Sequence, residues 1–168
     1  MRLSVKEDGN WRSFRHRNYR ILFPANTVSN IEHIALVKGD ISAGDPILVR
    51  MHALDLMADL LGAVSEKRAG DELTTAMAAI AKAGCGVIVV LRESIASSLS
   101  SMVSQKLNMT SDTSGNRDLR DYGVGAQILT DLGIGKMILL SDTRPNVVSL
   151  EGYDLEITDW QRIHQEQT

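Results

Sequence analysis

Two continuous apolar runs, Gly86–Leu91 (GVIVVL) and Lys136–Leu140 (KMILL), are the strongest signals in the chain. The first, with its β-branched residues, predicts a buried strand covered on both faces, and the second predicts another buried strand. Each follows a helical pattern. Asp71–Ala83 is rich in helix formers, places Leu73, Met77 and Ile80 on one face, and stops at Gly84. Leu119–Leu132 predicts a second long helix, with Asp118 as N-cap and Gly133 as stop. Leu54, Met57, Ala58 and Leu61 predict a short helix over Leu54–Leu61, ending near Gly62.

The N-terminal half is patterned differently. Ile31–Val37 and Pro46–Met51 predict strands joined by a polar turn, Lys38–Asp45, and Trp11–Phe23 predicts an extended segment or hairpin arm. Downstream, Val147–Leu150 fits one helical turn and Tyr153–Ile157 a short strand. Between Ser94 and Asn116, Ile95, Leu99, Met102 and Val103 fit one more amphipathic helix, and Thr110–Asn116 is loop-like. Residues 1–10 are expected to form a disordered arm and 159–168 a tail. The fold class is therefore α/β (α+β), a single domain over 1–168, with a β-rich N-terminal half followed by helix–strand alternation.

Composition narrows the function. The chain has 168 residues, 43% apolar and 23% charged, enough for one hydrophobic core. No apolar stretch is long enough to cross a bilayer. A net charge of −3 offers no basic field for nucleic acid or an anionic membrane. The N-terminus has no apolar signal core, and a cytoplasmic location is expected. One cysteine, Cys85, rules out an internal disulfide and a thiolate-rich zinc site. It adjoins a buried strand and is expected to be packed rather than reactive.

Three clusters carry candidate chemistry. His52, Asp55, Asp59 and Glu66 offer donors suited to a hard cation or zinc, but their spacing matches no metal motif and reads first as the solvated acidic face of a short helix. Asp118-Leu119-Arg120-Asp121 stands at an expected helix start, where backbone donors and Arg120 suit a phosphate, or where an N-cap and surface ion pairs suffice. Gly123 and Gly125 inside that helix imply close packing or close approach. Ser141-Asp142-Thr143-Arg144-Pro145 follows a buried strand, at the sheet edge where α/β proteins bind ligands, and reads also as a plain polar turn.

RDYGVGAQILTDLGIGKMILLSD (Arg120–Asp142) closely resembles the C-terminal part of GTP cyclohydrolase II, which opens the guanine ring in riboflavin biosynthesis. EHIALVKGDI (Glu32–Ile41), ILVRMH (Ile47–His52) and ELTTAMAAIAKAGCGVIVVLRE (Glu72–Glu93) resemble the same family in the same order, so the likeness runs from about Trp11 to Ile157. It implies a GTP cyclohydrolase II-like fold. It implies Asp118 and Arg120 as the family's proton-transfer and nucleophilic pair, and Arg50, Glu93 and Ser141 as nucleotide-binding positions.

The departures bear on activity. The family's catalytic zinc has three cysteine ligands, one in an SECLTGD-like segment and two in a CDCG. The first position is Asp55 here, within ALDLMAD, and the others fall near Glu66, Lys67 and Arg68. The family's RQEGRGIGL is matched by RESIASSL (Arg92–Leu99), without its glycines or second arginine. Its TNNPxK resembles SDTRPN (Ser141–Asn146), without the lysine. Without a metal to lower the pKa of water from about 15.7 to about 7, a lone Asp–Arg pair is insufficient. The expectation is a degenerate, non-catalytic domain with a structural or regulatory role and no zinc. The alternative is a divergent nucleotide hydrolase that keeps Asp118 and Arg120 and binds a metal without cysteine, with Asp55, Asp59 and Glu66 as weak candidates. The family often carries this domain behind 3,4-dihydroxy-2-butanone 4-phosphate synthase, so the resemblance also implies that synthase, or another riboflavin enzyme, as fusion or partner, and a homodimer.

Overall fold

The computed structural model describes residues 4–7, 10–16, 19–23, 25–26, 31–42, 44–62, 71–92, 114–142 and 152–164. Its centre is an eight-stranded sheet in the order β1-β2-β3-β6-β8-β7-β9-β10. The strands are β1 (Ser4–Glu7), β2 (Asn10–His16), β3 (Tyr19–Leu22), β6 (Ile34–Lys38), β7 (Ile47–Ala53), β8 (Gly86–Leu91), β9 (Lys136–Leu140) and β10 (Glu156–Gln161). A separate antiparallel pair joins β4 (Ala25–Asn26) to β5 (Ile31–Glu32). From β1 to β8 the neighbours are antiparallel; β8, β7, β9 and β10 are mutually parallel. The helices are α1 (Leu56–Leu61), α2 (Glu72–Ala83) and α3 (Ser114–Asp131).

The apolar runs explain the layering. All six residues of β8 are buried. Val87, Val89 and Leu91 join one core with Ala126, Ile128 and Leu129 of α3. Ile88 and Val90 join a second with Ala76 and Ile80 of α2. Helices thus cover opposite faces of the parallel block, and a strand with no solvent face shows no alternation. Burying each such side chain contributes about 1.5–3 kcal/mol.

Several boundaries differ from the sequence expectations. α1 starts at Leu56, not Leu54, because the Leu54 amide bonds the Leu91 carbonyl at 2.9 Å and extends the sheet. α3 begins at Ser114, so Asp118 lies inside the helix rather than capping it, and Ser114–Asn116 is helical rather than loop. SGNRD holds no apolar residue to mark the helical period. The last strand is β10, Glu156–Gln161, rather than Tyr153–Ile157. Residues 152–154 form a turn with positive φ at Gly152 and Asp154, and the Glu156 amide bonds the Gly135 carbonyl beside β9. The expected tail from 159 is therefore strand through Gln161, followed by the buried Ile163. The expected N-terminal arm includes β1, paired with β2. The expected helix over Ile95–Val103 and the turn at Val147–Leu150 lie outside the described residues. No helix among the described residues is long and apolar enough to cross a membrane.

Candidate functional site

The C-terminal edge of the parallel strands collects most of the candidate residues. Arg50 of β7 pairs in register with Ile88, on the α2 face. Its Nη2 donates to Glu72 Oε2 at 2.8 Å, at the head of α2, and its Nη1 to the Leu140 carbonyl at 3.2 Å. Both side chains of this ion pair are largely buried. Arg50 therefore ties β7 to the end of β9 and the start of α2. Glu72 carried no signal of this role in the sequence, since its partner is 22 residues away.

His52 lies two residues further along the same face and is 1% exposed. Its Nε2 sits 2.9 and 2.8 Å from the two oxygens of Asp59, and Asp59 Oδ2 also accepts the Asp55 amide at 2.9 Å. Asp55 is the N-cap of α1: its Oδ1 accepts the amides of Met57 and Ala58 at 3.0 and 3.1 Å. Asp55 and Asp59 do not share a solvated helix face as expected. One precedes the helix, and the other turns in to a buried histidine.

This chemistry decides the fit of a zinc ion here. The family's zinc has three thiolate ligands; the residue at the first of those positions has a carboxylate oxygen already accepting two backbone amides. Asp59 has both oxygens engaged. Glu66, the third candidate, lies outside the described residues. Among the described residues no three His, Cys, Asp or Glu side chains group as metal ligands. Cys85 precedes β8 at the opposite edge of the sheet, where its Sγ donates to the Asp40 carbonyl at 2.9 Å. Burial, and then the Asp40 charge, push its thiol pKa up. The described donor set does not fit a thiolate zinc centre.

The exit of β9 is closed by the chain's own contacts. Ser141 is buried, with its amide on the Gln161 carbonyl at 2.9 Å and its carbonyl accepting Trp160 Nε1 at 2.7 Å. Asp142 Oδ1 accepts the amides of Ile163 and His164. His164, absent from the sequence candidates, places Nδ1 2.6 Å from Asp142 Oδ2 and Nε2 3.1 Å from Asp71 Oδ1. Beyond β8, the Arg92 amide donates to His33 Nδ1 at 3.2 Å. Burial, and then the Arg92 charge, hold the His33 pKa down. Glu93 lies outside the described residues. The backbone sets 118 and 120 in the second turn of α3, away from the helix start where free amide donors were expected. The side chains of Asp118 and Arg120 lie outside the described residues. Further along α3, a Cβ on Gly125 would lie 2.8 Å from Met51 Sδ, which is the close approach that the glycine implied.

A groove of about 720 Å³ opens at the other edge of the sheet, lined by Arg20, Asp40, Ser42 and Asp131 among others. It holds none of the candidate site residues.

A family model described as GTP cyclohydrolase II matches residues 9–162. The chain is 38% identical over 145 residues to riboflavin biosynthesis protein RibBA of Bacillus mycoides, covering 80% of this chain and 36% of that protein. The counterpart in Bacillus cytotoxicus is 35% identical over 144 residues. The chain thus spans about a third of the length of these curated relatives. Among solved structures, RibBX, described as a two domain 3,4-dihydroxy-2-butanone 4-phosphate synthase from A. baumannii, superposes with a TM-score of 0.60 at 21% identity. That match covers 96% of this chain and 39% of the other, and shows the fold.

Proposed function

We propose that this chain, which belongs to the GTP cyclohydrolase II family, is a degenerate riboflavin-biosynthesis domain that acts structurally or as a regulator rather than as a cyclohydrolase. The observation that carries the reading is the use of Asp55. At the position that the resemblance assigns to a zinc-binding thiolate, a carboxylate caps α1. The replacement turns a metal ligand into part of the scaffold. The only cysteine lies at the opposite end of the parallel strands. Arg50, at a position that the resemblance assigns to nucleotide binding, is held by Glu72 and by the β9 carbonyl. Opening the guanine ring needs an activated water, and in this reading the domain binds no zinc to lower that water's pKa.

The partner we propose is 3,4-dihydroxy-2-butanone 4-phosphate synthase, in the same chain or as a separate subunit. The two-domain solved neighbour is named for that activity and shares this fold over 39% of its length. Burial of a synthase surface by this domain would stabilise the synthase by mass action.

The test is incubation of the purified protein with GTP, magnesium and zinc, with chromatography for pyrophosphate, formate and the opened pyrimidine, and metal analysis of the same sample. The reading expects no product above a metal-free blank and no stoichiometric zinc. Pyrophosphate release that depends on metal and on Asp118 and Arg120 overturns it in favour of a divergent nucleotide hydrolase.

A further inference from the structure

His164 stands between two carboxylates that come from distant parts of the chain. Asp142 belongs to the turn after β9, and Asp71 precedes α2. Each carboxylate is oriented independently of the imidazole. Asp142 Oδ1 is fixed by the amides of Ile163 and His164, and Asp71 Oδ2 accepts the Thr75 hydroxyl at 3.3 Å. The oxygens left over are the ones that meet the ring, at 2.6 and 3.1 Å.

An ionised carboxylate only accepts hydrogen bonds, and a neutral imidazole has one N–H. Both ring nitrogens face acceptors, so both must carry a proton. The full contact therefore exists only with the imidazolium. Loss of one proton sets a nitrogen lone pair against a carboxylate oxygen and breaks one arm.

We propose that His164 is a protonation-dependent clasp, which fastens the segment after β10 to the head of α2 and opens when the imidazolium loses a proton. Asp142 and Asp71 act on the ring directly, and the elements around it carry further charged groups. At the head of α2, Asp71 is followed by Glu72, which Arg50 of β7 holds. After β9 there is Asp142, and on its own segment Asp159 and Arg162. The hydrogen bonds from Asp142 and then Asp71 raise the imidazole pKa above its ordinary value. The clasp thus stays closed to a higher pH than an isolated imidazole would allow, and opens as pH rises through the raised pKa. Its opening loosens the contact that joins the β9 exit to the α2 N-terminus, the same edge that carries Arg50 and Ser141. Trp160, bonded to the Ser141 carbonyl, lies within this unit and reports on it.

The experiment is an NMR titration of the His164 ring in the whole chain, alongside Trp160 fluorescence over the same pH range in a Trp11→Phe background. The clasp requires both ring nitrogens protonated below the midpoint, and a midpoint above 6.5 that drops in Asp71→Asn and in Asp142→Asn. It also requires a fluorescence change with the same midpoint, abolished in His164→Asn. The ring contacts are partly exposed, so the accompanying change in Tm is about 1–3 °C. A wild-type midpoint at or below 6.5 overturns the proposal without recourse to any charge variant. So does a midpoint that both Asn variants leave in place, or a Trp160 signal that does not follow the ring.

Discussion

Asp55, a candidate metal donor in the sequence, serves the scaffold in the structure. A side-chain oxygen just before a helix can satisfy orphan amides, and Asp55 does so twice. Replacing it with alanine is expected to cost about 1 kcal/mol in urea unfolding, while Asp55→Ser retains most of the cap. A loss as large in the serine variant as in the alanine variant would mean that the carboxylate matters for something other than capping. The neighbouring pair is more deeply committed. The Asp59 side chain is largely covered, and His52→Ala would leave it without its histidine partner, at a cost of about 3 kcal/mol. Equilibrium unfolding that shows less than about 1 kcal/mol would mean that solvent or the chain replaces the imidazole easily. Neither role was legible from residue types alone. The sequence offered these acids as a cluster, but their helical spacing implied a shared face. The helix begins one residue after Asp55, and Asp59 turns back across the strand–helix junction to a residue seven positions earlier.

At the level of elements, legibility followed burial and punctuation. β8 was readable because a strand covered on both faces is apolar throughout, and β9 because its run from Met137 to Leu140 is apolar behind the exposed Lys136. α2 was readable because its period of apolar residues ends at a glycine in the left-handed region, Gly84 with φ 84°. β10 was not, because an edge strand with polar residues at most positions carries neither a run nor a clear alternation. The start of α3 was missed for a related reason, since its first turn is polar and glycine-containing. Two glycines separate local preference from packing. At Gly86 a Cβ would lie 2.6 Å from the Leu48 carbonyl oxygen, which is backbone and cannot turn aside. At Gly125 the obstacle is Met51 Sδ, in a flexible thioether. Gly86→Ala is therefore expected to destabilise by about 2 kcal/mol or more. Gly125→Ala should stay within about 1 kcal/mol of wild type, because the gain in helix propensity offsets the Met51 shift. Equal effects of the two substitutions on the urea midpoint would refute this distinction between backbone and side-chain obstacles.

Across the whole molecule, two histidines on opposite sides of their ordinary pKa shape the response to pH. His33 is buried and its pKa is lowered, so between its folded value and 6.5 the unfolded chain binds more protons than the native one. Its contribution is complete above 6.5 and declines as pH falls toward the folded value. His164 behaves oppositely. Its raised pKa makes the native state the better proton binder above 6.5, so its contribution is complete below 6.5 and declines as pH rises through the folded value. Asp71 and Asp142, with lowered pKa values, keep their share until pH falls below 3.8. From these groups, stability measured by urea unfolding should peak near pH 6.5 and fall on both sides. The two limbs are separable. Asn in place of His33 keeps an acceptor for the Arg92 amide but cannot charge, so His33→Asn should flatten the limb just below pH 6.5 and leave the alkaline limb in place. His164→Asn should do the reverse. An acid limb that persists unchanged in His33→Asn would assign the loss of stability to the carboxylates instead, and the buried imidazole would then contribute nothing to the pH response.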